Sequence, residues 1–193
     1  MNRLKFLWLF LSATCLVFVS QAQTKFEKEY RINPEEVPEK AFQFIHSANN
    51  DFSEKWYFEE NLEGNSIEAK FKYNRKKYSV EFDTLGNLLD VEVESPFKDL
   101  PENLQATLQN SLQNTYSKFT IRKIQVQYSG TVNSFADFIT ESNQTEHYTI
   151  YYELVVKGKK NRQWNLYEIT FGNAGELIST DKIVLRNTDN LEF

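Results

Sequence analysis

Carboxylates at alternating positions are the feature of this 193-residue sequence with the most chemistry in it. Glu68, Glu81, Asp90, Glu92 and Glu94 fall in runs where apolar and polar residues take turns, and Glu168 stands in a later run of the same kind. Two carboxyl groups held a few ångströms apart are what glycosidic hydrolysis requires, one as acid and the other as base or nucleophile. Facing carboxylates among Glu81, Glu92 and Glu168 would favour that chemistry. On alternating strands, however, these positions point away from the apolar side, and the plain expectation is a charged, solvated sheet face. Of the two histidines, His46 adjoins Ile45 in a helical run and is expected to pack, while His147 sits at a strand edge. The chain shows no zinc-ligand spacing, nucleophile elbow or phosphate-binding loop. It is therefore read as a non-enzyme, with no catalytic residue, metal ligand or cofactor assigned.

Two other constellations suggest binding. Arg75-Lys76-Lys77 and the stretch from Lys157 to Arg162 put basic residues at two hairpin tips, where an anion could dock or where lysines simply keep strand ends soluble. The outward sheet positions also differ between the two halves of the chain. The first half presents Glu68, Lys70, Lys72, Ser79, Glu81, Asp90 and Glu92, whereas the second presents Gln125, Gln127, Tyr151, Val155, Trp164 and Leu166, with Thr149 and Glu153, among few charges. Exposed aromatics with little charge around them are what an interface centre is made of. The six from Gln125 to Leu166 are the candidate partner-binding residues, with Trp164 as anchor and Lys70 expected to matter little. Either a partner or the long polar insertion around residues 129–147 must cover them. Asn143-Gln-Thr145 and Asp83-Thr84-Leu85 match short glycosylation acceptors, patterns that arise readily by chance.

The elements that would position these residues fall into two series. Tyr78, Val80 and Phe82 alternate with polar residues up to a turn at Gly86. At a spacing of 89 residues, Tyr167, Ile169 and Phe171 do the same up to Gly175. A helix is expected from Pro38, with Ala41, Phe44, Ile45 and Ala48 on one stripe. A second should follow a capping box at Asp99-Leu-Pro-Glu102, with Leu104, Leu108, Leu112 and Tyr116 on its stripe. Strand signals run at 55–60, 67–73 and 77–94, then at 118–128, 148–157, 163–171 and 177–185, with a bulge at Arg122-Lys123 where the alternation slips. The expected fold class is α+β. It comprises two tandem units, at 23–94 and 95–193, each with one helix packed on an antiparallel sheet of about four strands, joined by a short linker at Ser95-Pro-Phe-Lys98 so that they pack side by side or as one continuous sheet.

Residues 1–22 carry Arg3 and Lys5, an apolar run to Val19 and the small-residue site Ser20-Gln-Ala22, the pattern of a cleaved signal peptide. The run is shorter than the ~20 residues of a spanning helix. Cys15, the one cysteine, is a poor candidate for lipid attachment because Thr14 precedes it. Cleavage leaves 171 residues without cysteine. Two of the 22 basic residues leave with the leader, so 20 against 27 acids gives a charge of −7, unsuited to nucleic acid.

The twice-occurring Val/Leu-Pro-Glu helix start and the Tyr-x-Val/Ile-x-Phe hairpin ending at Gly before Leu-Leu or Leu-Ile resemble the PepSY-like family of exported bacterial proteins. The tandem form of that family is similar to the β-lactamase-inhibitor-protein fold. The likeness spans about Val37 to Val184. It implies a periplasmic or secreted non-enzymatic module that binds or inhibits another envelope protein. The alternatives are an envelope polysaccharide hydrolase and a small-ligand carrier.

Overall fold

The computed structural model describes residues 24–25, 27–48, 53–61, 64–141 and 148–184. The leader, Cys15, His147 and the Asn143 acceptor lie outside the described residues. Ten strands and three α-helices follow in chain order. They are β1 (Thr24–Lys25), β2 (Glu27–Ile32), α1 (Glu39–His46), β3 (Lys55–Asn61), β4 (Asn65–Tyr73), β5 (Lys76–Asp83), β6 (Leu88–Glu94), α2 (Glu102–Thr115), β7 (Lys118–Ser129), α3 (Phe135–Glu141), β8 (Thr149–Lys160), β9 (Gln163–Gly172) and β10 (Leu177–Ile183).

The two expected units do not form separate sheets. All ten strands join one sheet in the order β1-β10-β9-β8-β7-β6-β5-β4-β3-β2, antiparallel throughout except where β1 meets β10. The supposed boundary is crossed by backbone pairing, Val91 with Tyr128, Glu92 with Gln127, Val93 with Val126 and Glu94 with Gln125. An unpaired β6 edge would leave a row of backbone donors and acceptors open, and β7 satisfies them. The helix count differs too, because the polar insertion contributes α3. The lead-in before α1 contributes β2, which pairs with β3 along six residues.

Apolar alternation is what assigns the two faces. Ala69, Phe71, Val80, Phe82 and Val91 share one buried cluster with Ala41, Phe44 and Ile45 of α1, where Phe44 lies edge-on to Phe82 at 5.5 Å. Leu104, Leu108, Leu112 and Tyr116 press the α2 stripe against Leu154, Val156, Tyr167 and Phe171 on the same side. Phe82 and Phe171 are both fully buried. Between these packed regions α3 bridges the two halves. Its Phe135 lies edge-on to Phe71 and Tyr78 at 5.0 and 5.2 Å, and its Phe138 reaches Tyr128 and Tyr148 at 5.4 and 5.8 Å.

Turns fix how each helix meets its hairpin. Gly86 (φ 81°) and Gly175 (φ 84°) occupy left-handed conformations that favour glycine. A Cβ on Gly86 would stand 3.0 Å from the Ala41 nitrogen at the start of α1, and one on Gly175 would stand 2.8 Å from Thr107 in α2. Both helices begin directly after a proline, Pro38 and Pro101, with no side-chain cap. The capping box expected at Asp99 is absent because Asp99 closes a 3-10 turn instead. The bulge expected at Arg122-Lys123 is present, between Ile121 and Lys123.

β1 and β2 stand at opposite ends of the strand order, yet only residue 26 separates them. At 3.8 Å between successive Cα atoms, Lys25 and Glu27 lie within roughly 8 Å of each other. The sheet therefore curls until its edges meet at the N-terminal segment, with the helices on the outer side and a polar face within.

Candidate functional site

The inner face is built from every second residue of successive strands. Strand register sets Tyr57, Glu68, Glu81 and Asp90 side by side across β3 to β6. The next rows hold Ser79, Glu92, Gln127 and Tyr151, then Glu94, Gln125, Glu153 and Thr170. Towards β10 the file ends with Val155, Glu168 and Asp181. Carboxylates thus cross the sheet from β4 to β10, on strands drawn from both halves of the sequence.

This face is not the solvated surface that alternation suggested. Glu68 is 8% exposed, Asp90 6% and Gln125 5%, although the three helices pack on the other side. The curl of the sheet shields them, and shielded charge must find partners. Glu68 accepts a hydrogen bond from Ser79 Oγ and pairs with Lys70 Nζ at 2.9 Å. The same ammonium reaches Glu29 at 2.9 Å and lies 4.9 Å from the centre of the Tyr57 ring. Gln127 Nε2 donates to Asp90 at 2.9 Å, and Gln125 Nε2 donates to Glu92.

The two sides of the file have opposite electrostatics. Burial pushes the Glu68 carboxyl up, but Lys70, a hydrogen bond shared with Glu59 and one accepted from Ser79 outweigh it, leaving the pKa below the ordinary value. Burial also works against the Lys70 charge, yet Glu68 and Glu29 more than offset it and the ammonium pKa is raised. Glu92 has no such cation. Burial, followed by the charges of Glu153, Asp90 and Glu68, lifts its pKa well above the carboxylate range, with Lys123 only partly opposing. The centre of the face thus holds more negative charge than it can keep ionised.

Glu29, Glu59 and Glu68 bring carboxylate oxygens within 4.8 Å of one another. Such an all-oxygen set suits a hard divalent cation, and here the Lys70 ammonium occupies that electrostatic role. Lys70, read in the sequence as a wet surface charge, is a central ion-pair residue.

The six candidate partner-binding residues do share this face, but they divide. Trp164 is 46% exposed and carries Lys157 Nζ 5.7 Å from its ring centre. Leu166 follows it by two residues on β9, whereas Val155 and Tyr151 stand further along β8, Tyr151 opposite Gly172 at the far end of the hairpin, and all three are half-buried. Gln125 and Gln127 are committed to Glu92 and Asp90, so they organise the acidic centre instead of presenting amides outward. Among the described residues of the insertion, α3 packs on the helix side, away from the patch. His46 packs as expected, stacked on Phe42 at 4.2 Å and bonded to Glu54 at 3.0 Å. The Asp83-Thr84-Leu85 acceptor falls in the β5–β6 turn, where Asp83 accepts from the Leu85 and Asn87 amides.

Sequence reasoning placed these carboxylates on the correct face and missed their burial. Alternation within one strand tells which way a side chain points; which strands stand beside it depends on long-range register.

No family model and no curated protein matches the chain. Among solved structures it is similar to a BLIP-like protein from Bacteroides fragilis NCTC 9343, solved at 1.20 Å. The two are 16% identical, and the alignment covers 81% of this chain and 92% of the other, with a TM-score of 0.48. The PepSY-like resemblance rests on the sequence pattern alone.

Proposed function

We propose that this chain is an exported, non-enzymatic module that binds another envelope protein, taking a basic segment of it against the inner face of the sheet. The observation that carries the reading is the carboxylate file from Glu68 to Asp181, in whose central member, Glu92, burial and the neighbouring acids push the carboxyl pKa well above the ordinary range. A lysine or arginine side chain entering there would supply the missing cation. Trp164 and Leu166 form an aromatic and apolar border at one end of the β8–β9 hairpin, with Val155 and Tyr151 further along the same face, on which the rest of the partner can rest. Export to the periplasm or beyond follows from the leader at residues 1–22.

The test is capture of envelope proteins on the immobilised mature chain, compared with Trp164→Ala and Glu153→Gln at low and high salt. One partner should be retained by the parent chain, released as ionic strength rises, and lost or weakened about tenfold or more with Trp164→Ala. Retention that ignores salt and both substitutions sinks the reading, as does N-terminal sequencing that finds Met1 still in place on the exported protein.

A further inference from the structure

On the outer side of the sheet a cleft of about 540 Å³ opens over β6 and β7. Its floor is apolar, made by Val93, Ile124, Val126 and Tyr128, and Phe97 from the turn before α2 forms a wall. Its rim is basic. Arg75, Lys76 and Lys77 arrive from the β4–β5 hairpin, and Arg122 and Lys123 from the bulge in β7. These two groups are far apart in the chain and meet only because β6 pairs with β7. Neither approach is incidental to the backbone. Asn74 and Arg75 form a two-residue turn with φ of 48° and 66°, which projects the tip. The bulge leaves Arg122 as the extra residue between Ile121 and Lys123, a device that re-aims a side chain.

The charge balance of the cleft runs against that of the whole chain, which is −5. Glu94 is the one carboxylate in the lining, and Lys77 already neutralises it at 3.0 Å. Lys123 also faces Glu92 across the sheet. Arg75, Lys76 and Arg122 make no ion pair among the described residues. Three such cations around an apolar trough of ordinary ligand-site volume match one kind of molecule, an anionic head on an apolar tail.

We propose that this cleft binds an amphiphilic anion. Arg75, Lys76 and Arg122 hold its phosphate or carboxylate head, while its tail lies along Val93, Val126, Tyr128 and Phe97. The site is on the opposite side of the sheet from the face proposed for the protein partner and does not depend on that reading.

Calorimetric titration of the full mature chain with dodecyl phosphate, kept below its micelle concentration, tests the proposal. Inorganic phosphate and dodecyltrimethylammonium serve as comparison probes. Dodecyl phosphate should bind about tenfold or more tightly than phosphate, and the cationic surfactant should not compete. Arg75→Ala with Arg122→Ala, both at exposed positions, should weaken dodecyl phosphate about tenfold or more, whereas Phe97→Ala should weaken it without changing phosphate binding. Cosedimentation with phosphatidylglycerol vesicles, lost in the double variant, would identify a lipid headgroup as the source; binding of the monomeric amphiphile alone would identify a free one. Equal affinity for phosphate and dodecyl phosphate, equal binding of the cationic surfactant, or indifference to the double substitution overturns the proposal.

Discussion

Glu92 and Glu68 stand in neighbouring rows of one face and respond to pH in opposite senses. The folded-state pKa of Glu92 is raised, so its contribution to stability is complete below the ordinary carboxylate value and is lost as pH rises through the elevated one. Glu92→Gln keeps an acceptor for Gln125 and removes the titration. The variant should therefore unfold at higher denaturant concentration than the parent near neutral pH, and the difference should close as pH falls below about 4, with unchanged m-value. Glu68 is the reverse case. Its lowered pKa stabilises the fold above the ordinary carboxylate value and ceases to do so as pH falls through the folded-state pKa. Glu68→Gln leaves Lys70 with only Glu29, so a loss of roughly 2–3 kcal/mol at neutral pH is expected in urea unfolding. A cation from a bound partner would draw Glu92 back towards its ionised form. Binding measured by calorimetry in two buffers of different ionisation enthalpy should then show proton release, and release of none would mean that the partner does not reach Glu92.

Among the elements, the two glycine turns and the insertion helix are where the fold is most exposed to single changes. Gly86 and Gly175 combine left-handed φ with helix backbone or side chains close above them. Alanine at either position meets both obstacles, and each variant should lose about 1–3 kcal/mol in equilibrium unfolding. A change no larger than that of a surface alanine would show that the helix starts yield easily. Phe135 is fully buried among Phe71, Tyr73 and Tyr78, and it ties α3 to strands that precede it by more than fifty residues. Phe135→Ala should cost about 3–5 kcal/mol. If α3 were an ornament on a self-sufficient core, the loss would be a fraction of that.

At the scale of the molecule, one curled sheet gives two chemically different sides. The inner side concentrates acids drawn from nearly every strand, and the outer side, where the helices leave β6 and β7 open, concentrates bases on an apolar floor. Trp164→Ala probes the relation between fold and binding. The residue is exposed, and Trp164 pairs with Lys159 at the start of β9, so its removal should leave the melting temperature within a few degrees while weakening partner capture. A large fall in melting temperature would show instead that the indole holds the hairpin together.

Local pattern determined much of this protein. The stripes Ala41-Phe44-Ile45 and Leu104-Leu108-Leu112 determined both long helices, because an apolar stripe of that period can be buried in no other way. The alternation from Tyr78 to Phe82 and from Tyr167 to Phe171 determined the strands and their faces, and the slip in phase after Ile121 determined the bulge. Only the tertiary structure decided that β6 pairs with β7, making one ten-stranded sheet in place of two four-stranded units, since edge pairing depends on which backbone groups are left unpaired after each half has folded. Phe135 and Phe138 were visible as apolar residues in a polar insertion, but their packing across the junction had no local signal. The burial of Glu68 and Asp90 came likewise from the closing of the sheet, and the basic cleft from the meeting of Arg75 with Arg122. A carboxylate's environment is made by neighbours on other strands, and sequence spacing carries no record of which strands those are.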